Sequence, residues 1–262
     1  MPESSDPQAL LHHAQRLERA GRLAEAEAAY VQLLARWPDL PNTWYNLALL
    51  QRRAGRFDAA LASYQQALER GVSQPEEVHL NRGVIYSDCL RQDDAAEREL
   101  NAALALNPSY VPALLNLANL REDFGRRAEA LALYEKILTI EPRCHEALAR
   151  YAGLKAVRAP DDPLIGRLTS AIGDPPASAA ERASLGFALG KSLDGAGAYD
   201  RAFAAYEAAN RFSRQSASMA AYDRRAHERF IDQLIAAPVF RAAQDSAPVR
   251  AVRPIFICGM FR

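Results

Sequence analysis

One short segment contains the residue types of a phosphate-binding loop. Gly186, Gly190, Lys191 and Ser192 follow the order of loops of the form Gly-x-x-x-x-Gly-Lys-Ser/Thr, whose backbone amides hold nucleotide phosphates. Only three residues separate the two glycines here, whereas the nucleotide loop has four and must follow a strand. The surrounding residues have a helical period, so the segment predicts close helix packing and not nucleotide binding.

Four adjacent pairs could coordinate a metal ion or act in acid–base catalysis. His12–His13 and Cys144–His145 are neighbours in sequence, whereas two ligands on one helix face must be three or four residues apart. Asp93–Asp94 and Asp161–Asp162 precede helical patterns, where carboxylates cap a helix and offset its dipole. The sequence therefore predicts no catalytic residue and no metal site.

Three asparagines recur at one spacing and could bind a peptide. Asn46, Asn81 and Asn116 are each separated by 35 residues. An asparagine amide is both donor and acceptor, so a row of them can pair with the backbone of an extended peptide whatever its side chains. Asn119 belongs to the same candidate site. The alternative is that this position only tolerates a short polar residue, and His12 at the equivalent place of the first copy interrupts the row.

A repeated element must position such a row, and the sequence contains one. Its marks are a glycine, an alanine, a tyrosine and a proline, which recur as Gly21-Ala26-Tyr30-Pro38, Gly55-Ala60-Tyr64 and Gly125-Ala130-Tyr134-Pro142, with Ala95-Leu100-Pro108 between. A period of 34 to 35 residues in this order resembles the tetratricopeptide repeat. In that family each repeat is two antiparallel helices, and the first helices line the concave surface. The asparagine row then resembles the asparagine ladder of the O-linked N-acetylglucosamine transferases.

The resemblance implies an all-α fold, a right-handed superhelix (α-solenoid) of about five to six helix-turn-helix repeats. After a tail at 1–6, residues 7–144 form four repeats, at 7–40, 41–75, 76–110 and 111–144. The third lacks the loop glycine, because Leu90 or Arg91 takes its place. The remaining predicted segments are a degenerate repeat at 145–182, a further repeat at 183–216, a capping helix at 217–237 and a linker at 238–253.

A second known type of groove uses cations on successive first helices to bind a C-terminal carboxylate. The sequence does not predict it, since no lysine precedes Lys136. Arg52 and Arg53 alone are expected to form a solvated face.

The last nine residues have a different character from the repeats. Pro254–Arg262, with the sequence PIFICGMFR, begins with β-branched and aromatic residues suited to a buried strand, followed by a glycine turn. Because nothing else in the chain is predicted to be β, this would be a short orphan strand. The segment is similar to the first catalytic strand of the bacterial tetratricopeptide-repeat sulfotransferases, and Phe187–Arg211 is similar to the repeat ahead of their catalytic domain.

The resemblance to the sulfotransferases implies a cofactor and a partial site. Gly259, Met260 and Arg262 would begin the loop that binds the phosphosulfate of 3′-phosphoadenosine 5′-phosphosulfate, although Phe261 stands where the family has proline. The remainder of the catalytic domain has no counterpart in the sequence. We therefore expect no cofactor and no activity for this chain itself, and sulfotransferase activity if the reading frame continues.

Composition limits the partners and the location. The 32 basic and 32 acidic residues balance, which argues against nucleic acid or a membrane surface as partner. No signal peptide or membrane span is predicted, and the three widely separated cysteines suit reduced thiols, so we expect a cytoplasmic protein; the preference for arginine over lysine suggests a bacterial source. The expected function is a scaffold that binds a protein or peptide in its concave groove, or its own catalytic domain. The alternative is part of a sulfotransferase.

Overall fold

The computed structural model describes residues 6–216 and 223–236, and within these ranges the chain is helical and contains no strand. Thirteen α-helices follow one another: α1 (Pro7–Arg19), α2 (Leu23–Arg36), α3 (Pro41–Arg53), α4 (Phe57–Glu69), α5 (Pro75–Val84), α6 (Asp93–Leu106), α7 (Val111–Asp123), α8 (Arg127–Ile140), α9 (His145–Leu154), α10 (Pro163–Ile172), α11 (Ala179–Gly195), α12 (Tyr199–Ser216) and α13 (Arg224–Ala236). The predicted all-α architecture of five to six helix pairs is confirmed.

The helix ends follow from local sequence. Asp6 caps α1, because its carboxylate accepts from the backbone amides of Gln8 and Ala9 at 3.0 and 3.3 Å. Ser178 and Glu181 form a reciprocal capping box at the start of α11. The loop glycines Gly21, Gly55, Gly125 and Gly197 have positive φ between 70° and 76°, a conformation that a β-carbon disfavours. These glycines end the first helix of four repeats.

The third repeat departs from the others for an identifiable reason. Ten residues separate Asn81 from Arg91, whereas nine separate Asn46 from Gly55. The chain accommodates the extra residue as a π-helical turn at Ile85–Cys89, which continues α5. Of the two residues that the sequence offered for the loop-glycine position, Leu90 and Arg91, it is Arg91 that adopts the loop-glycine conformation, with φ of 55°.

The same insertion shifts by one position the buried small residue of α6, at which α6 and a neighbouring helix come closest. The repeat pattern placed Ala95 at that position, but Ala96 is the fully buried residue of α6 and Ala95 is partly exposed. Ala26, Ala60 and Ala130 are fully buried at this position in α2, α4 and α8, as predicted. Small side chains here let the helix axes come close together.

The core of residues 6–216 is divided along the chain. Successive clusters of buried side chains extend from Ala14 to Leu50, from Ala48 to Ile85, from Ala96 to Leu120, and from Val111 to Ala205. Each cluster joins neighbouring helices, and none joins the two ends of the array. This is the packing expected of a solenoid, in which each repeat contacts its neighbours.

The fifth helix pair is not a closed hairpin. Helices α9 and α10 lie where the degenerate repeat was predicted, but α9 packs mainly against α8 and α11, and α10 packs mainly against α11. The first helix of the sixth repeat therefore lies directly beside α9.

Close packing of α11 on α12 explains the segment that imitates a nucleotide loop. A β-carbon on Gly186 would lie 2.9 Å from that of Ala209, and one on Gly190 would lie 2.5 Å from the ring of Tyr206. Both glycines lie within α11, which confirms the packing interpretation.

The chain divides into two units after Ser216, and only residues 223–236 of the second unit are described. Helix α13 forms within the predicted capping segment, and its role as a cap stays a prediction. The linker at 238–253, the strand at Pro254–Arg262 and the loop residues Gly259, Met260 and Arg262 lie outside the described residues.

Candidate functional site

Asn81, in the middle of the predicted row, is already paired within the protein. It is 8% exposed. Its Oδ1 accepts from the guanidinium of Arg52 at 2.6 Å, and its Nδ2 donates to the carbonyl of Glu77 at 2.9 Å. Arg52 thus does not belong to a freely solvated face, in contrast to the sequence-based expectation. A peptide could use the Asn81 amide only by displacing these partners.

Asn116 and Asn119 also make bonds within their repeat. The Asn116 amide donates to the carbonyl of Pro112 at 2.8 Å, one turn back along α7. The Asn119 carbonyl accepts from the phenol of Tyr134 at 2.6 Å. Asn116 keeps its carbonyl for another donor, whereas Asn119 has a packing role at the α7–α8 contact.

Asn46 faces a small cavity between α1 and α3. The cavity has a volume of about 380 Å³ and is lined by Gln15, Glu18, Arg19, Tyr30, Asn46 and Arg53. The guanidinium of Arg53 donates to Glu18 at 2.8 Å across it. The three asparagines thus share a repeat position but not an environment, and their role in binding a peptide stays a prediction.

A larger cleft than the one at Asn46 lies farther along the array. It has a volume of about 610 Å³ and is lined by first helices of successive pairs, namely α7, α9 and α11. We call it the α9–α11 cleft. Small and apolar residues form much of its wall: Ala149, Gly153, Leu154, Ala180, Ser184, Phe187 and Ala188. Phe187 is 40% exposed.

The open fifth helix pair produces this cleft. Helix α10 packs mainly on α11 and only slightly on α9, and the two first helices α9 and α11 lie side by side. Alanine, glycine and serine on their facing surfaces leave space that larger side chains would fill. The phenyl ring of Phe187 is held at one side by Tyr206, with a distance of 6.5 Å between ring centroids.

Charged groups surround the apolar wall. The ammonium of Lys191 donates to the carbonyl of Gly153 at 2.6 Å, in the last turn of α9. The guanidinium of Arg150 lies 3.8 Å from a carboxylate oxygen of Glu122. Glu146 and Glu181 also line the cleft. The site therefore combines an apolar surface with charges of both signs and lacks a nucleophile paired with a base.

The lining of the cleft includes a buried histidine, His145. The His145 side chain is 7% exposed and its Nδ1 lies 3.1 Å from Glu181 Oε1. Its Nε2 lies 3.6 Å from Asp174 and has no hydrogen-bond partner among the described residues. The pKa of Glu181 is lowered, chiefly by the hydrogen bond from Ser178 and less by His145. His145 thus connects the start of α9 with the start of α11.

Sequence reasoning missed the α9–α11 cleft, although one signal was available. Arg150 lies 34 residues after Asn116 and so continues the asparagine row into the fifth pair. Phe187 lay within a segment assigned only to packing. Its exposure depends on the small side chains of α9 that face it, which the repeat pattern does not specify.

Other candidate chemistries find no support in the described residues. No group of three or more histidine, cysteine and acidic side chains within 6–216 and 223–236 is arranged to hold a metal ion. Asp162 caps α10 by accepting from the amide of Leu164 at 2.9 Å, as predicted for that aspartate pair. None of the helices in these ranges has the length and hydropathy needed to cross a bilayer.

Comparison with known families identifies the class of protein. The family model of the tetratricopeptide repeat matches residues 11–75, 45–86 and 91–144. The chain is therefore a tetratricopeptide-repeat solenoid over these residues, a scaffold for protein interaction.

Solved structures agree with this class. A tetratricopeptide repeat protein from Parabacteroides merdae ATCC 43184 is 19% identical with a TM-score of 0.53, over 89% of this chain and 86% of that one. The pilF protein of Pseudomonas aeruginosa is 18% identical with a TM-score of 0.55, over 80% and 97%. YrrB, described as a TPR protein with an unusual peptide-binding site, is 19% identical with a TM-score of 0.50, over 66% and 89%. At these identities the likeness establishes the fold alone.

Proposed function

We propose that this array binds a segment of a partner protein in the α9–α11 cleft. The observation that carries the proposal is the cleft itself, about 610 Å³ in volume and lined by first helices. Its volume lies within the range of about 300 to 1,000 Å³ that is usual for ligand sites. YrrB, a structural neighbour, has a peptide-binding site, which supports a peptide as the type of ligand.

The exposed ring of Phe187 favours this cleft over the asparagine row. An exposed aromatic side chain beside small residues gives a partner apolar area to bury, and such area is the main source of binding energy. Two of the asparagines, Asn81 and Asn119, would first have to give up hydrogen bonds within the protein. That exchange yields little net free energy.

The proposal can be tested with a displayed library of random peptides selected on the immobilised protein. We expect the enriched peptides to lose binding when Ser184→Trp fills the cleft, since Ser184 is exposed, lines the cleft and bonds only within its own helix, to the carbonyl of Ala180. Ala128→Trp is the matched control, because Ala128 is also exposed, on α8, and lies outside the lining. Binding that survives Ser184→Trp would contradict the cleft as the site.

If the asparagine row were the binding site, the same assay would give the opposite result for the two kinds of variant. If Asn46, Asn81 and Asn116 bind the peptide backbone, changing all three to alanine abolishes binding and Ser184→Trp does not. Far-ultraviolet circular dichroism of the triple variant checks that the helices persist, because Asn81 also bonds to Arg52. We expect this variant to bind the selected peptides as the unaltered protein does.

A second proposal concerns the context of the array. The similarity of Phe187–Arg211 and Pro254–Arg262 to the tetratricopeptide-repeat sulfotransferases supports a role as the N-terminal module of such an enzyme, with the catalytic domain as a further partner. A reading frame that continues Ser-Gly-Thr-Thr after Arg262 would support this role. Calorimetry with 3′-phosphoadenosine 5′-phosphosulfate and residues 1–262 is expected to show no saturable binding, and tight binding would contradict that expectation. A cytoplasmic location is likewise proposed, because Cys89 and Cys144 are free thiols, which suit a reducing compartment.

A further inference from the structure

We infer that Lys191 is a positioning residue of the α9–α11 cleft: its bond to the carbonyl of Gly153 holds the last turn of α9 against α11, so that the cleft is formed before a partner binds. This inference rests on the proposed function, because it concerns the same cleft. Gly153 and Leu154 of that turn line the cleft together with Lys191. A displacement of the turn therefore changes the wall that a partner contacts.

The end of α9 leaves a backbone carbonyl without a partner in its own helix. The helix ends at Leu154, because Lys155 adopts an extended conformation with φ of −69° and ψ of 130°. The amide of Lys155 bonds back to the carbonyl of Tyr151 at 2.8 Å, whereas no backbone amide of residues 6–216 bonds to the carbonyl of Gly153. Carbonyls in the last turn of a helix need a donor from outside the helix.

Lys191 of α11 supplies that donor. Its ammonium donates to the Gly153 carbonyl at 2.6 Å, although the two residues are 38 positions apart in sequence. A cation at this place is also favoured by the dipole of α9. Helix α9 has no basic residue in its own last turn, and the ammonium of Lys155 lies instead over the ring of Tyr151, 5.5 Å from the ring centroid. The bond from Lys191 therefore caps an end that α9 does not cap for itself.

A second contact places the chain after α9 on the same helix. Gly195 lies one turn beyond Lys191 on α11, and a β-carbon on it would lie 2.9 Å from the carbonyl oxygen of Val157. Val157 is itself buried in the core. The backbone that follows α9 thus touches α11 at two successive turns.

The middle of the cleft offers little else to fix the distance between the two helices. Its lining there consists of small residues, namely Ala149, Ser184 and Ala188. Small side chains bury little apolar area and so contribute little to the free energy that holds two helices together. The starts of α9 and α11 are joined by His145 and Glu181, and the Lys191 bond is the corresponding link at their ends.

Hydrogen exchange of the chain without any peptide tests the link itself. Lys191→Met keeps the apolar stem of the side chain and removes the ammonium. The amides of Ala152 to Lys155 should then exchange about three- to tenfold faster, the effect of one lost hydrogen bond. Lys191→Arg should keep the protection of the unaltered chain, because a guanidinium can donate to the same carbonyl. Lys136→Met is the matched control, since Lys136 is exposed on α8 and lies outside the cleft lining.

Binding measurements test the consequence for the cleft. Peptides enriched from the displayed library, synthesised with a fluorescein label, should bind Lys191→Met about three- to tenfold more weakly by fluorescence polarisation, because a loosened turn must be ordered again on binding. Lys191→Arg and Lys136→Met should bind them as the unaltered chain does. A lysine that only contacted the peptide would weaken binding without changing the exchange of the peptide-free chain.

The outcomes separate this inference from the proposed function. Unchanged exchange at the end of α9 in Lys191→Met would overturn the positioning role, whatever its effect on binding. Faster exchange with unchanged affinity would overturn it too, because the turn would then not shape the site. If no peptide is enriched, or if binding is insensitive to Ser184→Trp, the cleft fails as the binding site. The exchange experiment would still decide whether Lys191 holds α9 against α11.

Discussion

Three tyrosines occupy one repeat position, and their rings are buried alike while their hydroxyls differ in hydrogen bonding. Tyr30, Tyr64 and Tyr134 are all fully buried. The Tyr134 hydroxyl donates toward Asn119 at 2.6 Å and Glu122 at 3.0 Å, and the Tyr30 hydroxyl lies 3.2 Å from Glu18. The Tyr64 hydroxyl has no partner among the described residues. Burial raises the pKa of all three phenols, so each stays neutral at physiological pH.

Removing the hydroxyl should therefore have different effects on stability at two equivalent positions. Tyr134→Phe should lower the free energy of unfolding by about 1 to 2 kcal/mol, because Asn119 and Glu122 lose their donor. Tyr64→Phe should leave stability unchanged or raise it slightly, because an unpaired buried hydroxyl disappears. Urea unfolding measures both. Equal losses in the two variants would mean that the Tyr64 hydroxyl does have a partner.

The contribution of one buried ion pair to stability can be tested by varying the pH. Arg121 is 7% exposed, and its guanidinium forms a two-point hydrogen bond with Glu97, one arm of which is 2.6 Å long. This bond is the main reason why the pKa of Glu97 lies below its ordinary value of 4.5. A carboxylate with a lowered pKa in the folded state stabilises the protein above its ordinary pKa. That stabilisation is lost as the pH falls through the lowered value.

Glu97→Gln should accordingly destabilise the protein by about 1 to 2 kcal/mol at pH 7, since Arg121 keeps only Glu129 as a charged partner, at 3.3 Å. The difference between Glu97→Gln and the unaltered protein should persist down to about pH 5 and shrink below pH 4. Urea unfolding at pH 7, 5 and 3.5 measures it. A difference that stays constant over this range would show that the charge of Glu97 is not the cause.

At the scale of the element, the repeat pattern predicted most helices and missed two irregularities. The positions of the loop glycines, buried alanines and tyrosines follow directly from helix packing, so one sequence suffices to predict them. The π-helical turn at Ile85–Cys89 depends on how one extra residue is absorbed, which the pattern leaves open. The position of α10 depends on how it divides its packing between its two neighbours, α9 and α11, which the pattern also leaves open. Local pattern determines the first kind of feature and tertiary packing the second.

Substitution of two glycines within helices distinguishes the effect of close packing on stability from the effect of helix propensity. Gly190→Ala should destabilise the protein by about 1 to 3 kcal/mol, because the new methyl group would lie 2.5 Å from the Tyr206 ring and separate α11 from α12. Gly166→Ala in α10 should stabilise it by about 0.5 to 1 kcal/mol, because no atom lies within 4 Å of the new methyl group and alanine favours helix. Thermal unfolding compares them. A stabilising Gly190→Ala would show that Tyr206 moves aside without cost.

At the scale of the whole molecule, the candidate site was harder to predict than the fold. The sequence placed Asn46, Asn81 and Asn116 at one repeat position, and that much follows from the period. Whether the side-chain amide of a given asparagine can bind a ligand depends on neighbouring side chains. Arg52 of α3, for example, already bonds to Asn81 of α5. The α9–α11 cleft depends further on the open fifth pair. A period of 34 to 35 residues therefore specifies the scaffold, while departures from it specify the surface available to a partner.

The division of the core along the chain predicts that damage at one end stays there. Tyr30 belongs to the cluster from Ala14 to Leu50, and Leu185 to the cluster from Val111 to Ala205, which share no residue. Tyr30→Ala, which costs about 3 to 5 kcal/mol, should abolish hydrogen-exchange protection of α1 and α2 and leave α9 to α12 protected, because repeats couple only to their neighbours. Leu185→Ala should do the reverse. Loss of protection throughout the array in either variant would instead require one cooperative folding unit, and the cleft would then form only in the complete solenoid.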